Sequence, residues 1–148
     1  MSEPTEEIEK IYVFPLAGEH YGVSLSNVGE VTQAGIGEIS PVLGSRVLRG
    51  LVSLRGRVTP VLDAHGLLGL RAGRADAETF PLLVCQNGSC EAAIAADGLG
   101  VVAEVCAGEL ESVDCGPVRH TFRYKEDIVK LLDVQALFEA AAAEGTSA

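Results

Sequence analysis

A mainly β chain, built as two lobes on one repeated strand order, is what the amino-acid sequence predicts. Three observations carry that expectation. Short apolar runs of strand length alternate with glycine-containing turns through most of the chain. An apolar skeleton recurs at a constant offset of 70 residues, matching Val13 to Leu83, Gly18 to Gly88, Asp63 to Asp133 and Leu67 to Leu137. The composition has no Trp, 5% aromatic residues and 47% hydrophobic residues. It suits many short strands better than a helical bundle.

The first lobe opens with the apolar run Ile11 to Leu16, a turn at Gly18-Glu19, and Tyr21, Val23 and Leu25 alternating with small or polar residues. That pattern is a hairpin with one buried face. Val28 and Val31 continue it around Glu30, until Gly35 and Gly37 interrupt. Leu51 to Leu54 and Val58 to Leu62 flank Arg55-Gly56, where glycine suits a G1-bulge hairpin. Pro60 lacks an N–H, which predicts an edge strand or a bulge there. Asp63 is placed to cap a short helix, Ala64 to Leu68, that Gly69 ends.

The stretch RAGRADAET, residues 71–79, is polar and without period, and reads as a linker between lobes. Beyond it the skeleton returns, ending in Leu131-Leu132-Asp133. A helix from Val134 to about Ala143 follows, closed by Gly145. The expected organisation is an acidic flexible leader over 1–9, one domain of two lobes over 10–141, and a flexible tail over 142–148. A small barrel closes its own edges, which is how a short all-β lobe avoids edge-to-edge association.

The net charge of −10 disfavours nucleic acid, which requires clustered Lys and Arg, and disfavours an anionic membrane surface. No run of eighteen apolar residues occurs, and the N-terminus has no basic region followed by an apolar one. A cytoplasmic protein with reduced thiols is the expectation.

Enzyme chemistry finds no obvious carrier. Cys85, Cys90, Cys106 and Cys115 lack the close pairs of a structural zinc site, and Cys85 reads as a small buried hydrophobe. His20, His65 and His120 are scattered, and His65 reads as a surface or helix-end residue. Gly98 and Gly100 form a bare turn signal rather than a nucleotide fingerprint. No cofactor or metal is expected. An enzyme using a Cys–His pair assembled in space stays open as the competing class. Among surface groups, Glu30, Gly50 and Arg55 stand out. Each has an ordinary reading, as solvent-facing charge or turn chemistry. The sharper one is a groove between lobes with an acidic and a basic anchor for a protein partner.

Three segments resemble the CheW-like domain of bacterial chemosensory systems. They are VFPLAGEHYGVSLSNVGEV, RVLRGLVSLRGRVTPVLDAHGLLGL and VKLLDVQALF. The family pattern V-x-E-V falls on Val28 to Val31, its long central motif on Gly50 to Ala64, and its closing L-x-D on Leu131 to Asp133. The resemblance implies two intertwined, five-stranded SH3-like β-barrels, with short helices after the central motif and at the C-terminus. It implies a non-catalytic adaptor coupling the cytoplasmic tips of chemoreceptors to a CheA-type histidine kinase through that kinase's regulatory domain. It places Glu30, Gly50 and Arg55 at the receptor groove. The chain departs from the pattern at Ala64 and at Ala96-Asp97-Gly98-Leu99. Ala92, Ala93, Ala95 and Ala96 replace bulkier strand residues, so the second barrel is expected to be eroded. A divergent accessory adaptor, binding receptors without productively engaging the kinase, is the related alternative.

Overall fold

The computed structural model describes residues 7–42, 47–70 and 78–146. The first half of the chain gives β1 (Ile8–Leu16), β2 (Glu19–Ser24), β3 (Val28–Gly35), β4 (Leu48–Leu54), β5 (Arg57–Leu62) and helix α1 (Ala64–Leu67). The second gives β6 (Thr79–Asn87), β7 (Cys90–Ala95), β8 (Val101–Cys106), β9 (Glu111–Cys115), β10 (Val118–Tyr124), β11 (Asp127–Leu132) and α2 (Val134–Thr146).

Two sheets result, and the halves of the sequence are exchanged between them. A six-stranded sheet runs β8-β1-β2-β11-β10-β9, and a five-stranded sheet runs β3-β6-β7-β5-β4. The 70-residue repeat explains the exchange. Val31 of β3 pairs with Leu83 of β6, and Val101 of β8 pairs with Val13 of β1, the same contact written twice. Likewise β5 runs parallel to β7, and β11 runs parallel to β2. Each half therefore supplies what the other half needs. The chain changes sheet at the 3-10 turn Leu25–Asn27 and again over residues 96–100, rather than at 71–79. Residues 71–77 lie outside the described residues, and Thr79 already begins β6. A polar, aperiodic stretch marks an exposed connection, which is a weaker statement than a boundary between folding units.

Exchange also explains the continuous apolar runs. Ile11 and Val13 of β1 line a core inside the six-stranded sheet, while Tyr12, Phe14 and Leu16 on its other face enter a core shared by both sheets. β6 does the same, with Phe80, Leu82 and Val84 inside the five-stranded sheet and Leu83 and Cys85 in the shared core. A strand buried on both faces has no reason to alternate. Leu62, Ala64, Val134 and Leu137 complete the shared core. Full burial of a side chain such as Phe14 or Leu137 contributes about 1.5–3 kcal/mol.

The alanines of the second half are part of this packing. β7 lies between β6 and β5, with Ala93 and Ala95 in the five-stranded core and Ala92 and Ala96 in the shared one. All four are buried. The expected erosion is therefore not found. Small side chains fit a strand crowded on four sides, and β7 belongs to the same sheet as Glu30, Gly50 and Arg55.

Other local expectations are refined. Arg55 and Gly56 form a two-residue loop, with φ 51° and 78°, closed by the pair Leu54 and Arg57. Two positive φ values are what a type I′ hairpin requires, so no G1 bulge is needed. β5 is not an edge strand. Pro60 is tolerated because β7 pairs with β5 only at Val61 and Leu62; it faces Leu51 of β4, and the register shift of that ladder falls beyond it, opposite Val61 and Leu62. β1 starts at Ile8, inside the stretch read as leader, because Ile8 pairs with Cys106. Residues 1–6 and 147–148 lie outside the described residues. Asp63 and Asp133 cap their helices, their Oδ1 atoms each accepting a backbone N–H at 3.1 Å. α2 continues through Gly145 to Thr146 because its alanine-rich run favours helix throughout.

Candidate functional site

Glu30 and Arg55 are brought together. β3 and β4 are the two outer strands of the five-stranded sheet, and Arg55 sits at the tip of the β4–β5 hairpin. Arg55 Nε nevertheless lies 3.5 Å from Glu30 Oε1. The sheet must roll until its edges meet, which is barrel closure. The Arg55 side chain is 80% exposed and that of Glu30 30%. An ion pair so open to water contributes little stability. Arg55 also holds a left-handed φ, which costs a non-glycine residue roughly 1 kcal/mol. Ala17 and Lys125 hold the same conformation in the β1–β2 and β10–β11 turns, so the φ belongs to the turn and not to the arginine.

Gly50 is placed differently. It is buried in β4, five residues before Arg55, or roughly 16 Å along the strand. A Cβ there would stand 2.4 Å from the Ser40 carbonyl oxygen and 2.6 Å from Ile39 Cγ2. Ser40 and Leu51 exchange both backbone hydrogen bonds at 2.8 Å across the same point. The close approach that glycine permits is therefore made by the protein's own chain.

Sequence reading missed a polar belt beside the ion pair. Arg57 Nη2 donates to both carboxylate oxygens of Glu91 at 2.9 Å, and Gln86 Nε2 donates to Glu91 Oε2 at 2.8 Å. Asn27 Nδ2 donates to the Gln86 carbonyl at 3.0 Å. These four residues cross the ends of β3, β6, β7 and β5. Arg57 was legible, since it stands two residues after Arg55 in the same hairpin; Glu91 was not, because only β7 pairing beside β5 brings it near. Exposed apolar side chains flank the belt's strands at Val31 and Val58, and both recur at the repeat offset as Val101 and Ile128.

At the repeat position in the other sheet, Lys125 stands for Arg55 and Gly100 for Glu30. The position of Glu30 therefore carries no carboxylate there. A cavity of about 320 Å³ lies there instead, lined by Leu99, Gly100, Val101, His20, Tyr124 and Lys125 among others. Duplication has kept the hairpin and dropped the ion pair.

The buried thiol Cys85 is not poised as a nucleophile. Burial pushes the Cys85 thiol up to about 12, the opposite of an activated thiolate. His20 Nε2 lies 3.9 Å from Asp127 Oδ2, and His65 Nε2 lies 3.2 Å from Asp97 Oδ2. His65 is buried, not at the surface, because α1 packs against the shared core. Lys130 hydrogen-bonds Glu19, which holds its ammonium above the usual lysine range, while burial raises the Tyr21 phenol beneath it. Among the described residues no group of three or more His, Cys, Asp or Glu could hold a metal ion. No helix there is long and apolar enough to cross a membrane.

Two closed, strand-exchanged sheets sharing one core define a paired SH3-like barrel domain. The chain belongs to the CheW-like domain family, whose model matches residues 10–142. Its fold is similar to that in the crystal structure of scaffolding protein TtCheW from Thermoanaerobacter tengcongensis. That match has a TM-score of 0.77 at 21% sequence identity, covering 93% of this chain and 92% of that one. Comparison with curated proteins finds no match. The family is one of scaffolds and adaptors in chemotaxis.

Proposed function

We propose that the protein is a non-catalytic adaptor that couples the cytoplasmic tips of chemoreceptors to a CheA-type histidine kinase. Glu30 and Arg55 are the charged anchors of its receptor groove. The observation that supports this reading most is their convergence from opposite edges of one sheet, with the Arg55 side chain exposed at a hairpin tip and Glu30 half-buried beside it. A residue so placed is available to a partner, and arginine is a frequent anchor at protein interfaces. Gly50 serves the groove indirectly, by seating the Ile39–Ser40 segment over β4.

The kinase's regulatory domain is the second partner, bound through another barrel surface. The alanine-rich β7 is well packed and belongs to the sheet of the receptor anchors. The acidic balance leaves nucleic acid without a counter-surface. A cytoplasmic setting follows from these partners.

Pulldown with purified receptor cytoplasmic domain and purified kinase regulatory domain tests the proposal. Retention of both supports coupling. Retention of the receptor domain alone returns the accessory adaptor, and retention of neither sinks the reading.

A further inference from the structure

The two sheets end differently at the hairpin tips that the repeat makes equivalent. In the five-stranded sheet the chain's own polar groups fill the end: Arg55 reaches Glu30, and Arg57 donates to both carboxylate oxygens of Glu91 at 2.9 Å. At the repeat offset Lys125 stands for Arg55, Gly100 for Glu30 and Asp127 for Arg57. The position of Gly100 admits no side chain, because a Cβ there would stand 2.1 Å from the Val13 carbonyl oxygen. Asp127 turns to His20, its Oδ2 3.9 Å from Nε2. What the missing groups leave is the cavity of about 320 Å³. Val13 and Val129, buried in the core of the six-stranded sheet, line it together with Tyr124. Leu99 and Val101 stand at its rim, 69% and 52% exposed.

Charge marks one side of this cavity. Lys125 makes no ion pair among the described residues, and its ammonium lies 5.4 Å from the centre of the Tyr124 ring. Ligand sites combine apolar walls with a few placed polar groups, and a cavity of this volume stands at their small end. An unpaired ammonium beside open valine and leucine side chains suits an anion carried on an apolar body. The five-stranded sheet shows which anion, since there a carboxylate meets the cation of the hairpin tip. We propose that the cavity is a binding site for a small organic monocarboxylate with a branched or single-ring apolar body. Lys125 holds the carboxylate, and Val13, Val101 and Tyr124 receive the body. Burial of apolar surface drives the binding, and the ammonium fixes its direction. The site belongs to the other sheet from Glu30 and Arg55, and it stands whether or not the receptor reading does.

Titration of the full, isotope-labelled chain with phenylacetate, followed by backbone amide NMR shifts, tests the proposal. Saturable shifts centred on the amides of Gly100, Val101 and Lys125 are expected. Acetate lacks the apolar body and should not saturate them. Phenylacetamide lacks the charge and should bind about threefold to tenfold more weakly than the acid. In Lys125→Gln that preference for acid over amide is expected to vanish, while the shifts at Gly100 persist with either probe. The proposal is overturned by phenylacetate shifts that do not saturate, that spread over both sheets or that centre on Arg55. Equal binding of acid and amide also overturns it, as does a preference that survives in Lys125→Gln. Should Lys125→Gln fail to fold, the three probes on the unmutated chain decide the question.

Discussion

Arg55 Nε lies 3.5 Å from Glu30 Oε1 although the two residues belong to strands at opposite edges of the five-stranded sheet. No backbone ladder links β3 to β4, so the ion pair bridges a seam. A seam is a natural place for a partner to enter, because its backbone groups are not all committed to neighbours. Here the seam is crossed by an arginine that water largely surrounds and a half-buried glutamate.

Arg55→Glu is therefore expected to weaken binding of a receptor cytoplasmic domain by about tenfold or more, while the melting temperature moves by no more than about 2 °C. Isothermal titration and thermal melting read the two effects separately. Arg55→Asn should weaken binding too, yet leave stability equal or slightly higher, since asparagine tolerates the left-handed φ of 51° better than arginine does. Collapse of the fold in either variant would make Arg55 structural and remove it from the site.

Gly50→Ala should behave in the opposite way. Its new methyl group meets a backbone oxygen, which cannot rotate aside, and a loss of about 2–4 kcal/mol is expected in urea unfolding. Gly56→Ala adds no clash and should lose only about 1 kcal/mol, the cost of its positive φ. Equal losses at the two positions would contradict the packing of Ser40 over β4.

Ala93→Val tests whether β7 is packed or eroded. Two added methyl groups at a fully buried position between β6 and β5 should cost about 1–3 kcal/mol. A gain in stability would mean that space had been left there.

Cys85 gives a pH signature. Its thiol is pushed up to about 12 in the fold from a usual value of 9.0, by burial. Above about pH 9 the unfolded chain gives up this proton while the folded chain keeps it, so the folded state binds more protons and stability falls as pH rises. This group's share of the slope approaches about 1.4 kcal/mol per pH unit until the folded thiol ionises. Unfolding in urea at several pH values from about 8 to 10.5 should show a steeper decline for the natural chain than for Cys85→Ala. Parallel declines would show that Cys85 is reached by solvent.

Much of the fold was legible because its signals are local. Turns at Gly18, Arg55-Gly56 and Gly88, the caps Asp63 and Asp133, and the 70-residue repeat all act within a few residues or restate one another. The exchange of strands was not legible from the residues themselves. A hydrophobic pattern records that β1 is buried on both faces, but Val13 meeting Val101 and Val31 meeting Leu83 leave no mark beyond that. The site divides the same way. Glu30 and Arg55 stand out in the sequence as charges in odd places, whereas the close approach of Ser40 to Gly50 comes from ten positions away and leaves no local mark. His65 looked like an exposed helix residue, since its partner Asp97 arrives from 32 positions away.

Strand exchange has a consequence for how the protein is made. When the first 70 residues have left the ribosome, the β1–β2 and β4–β5 hairpins can form, but neither sheet can. β3 waits for β6, β5 for β7, and β2 waits for β11, whose last residue is Leu132. During that interval the nascent chain carries open strand edges able to pair with its neighbours on the same messenger. A premature stop anywhere before β11 would leave such an edge permanently uncovered. Truncated products of this chain should accumulate as aggregates rather than as a half-sized folded domain.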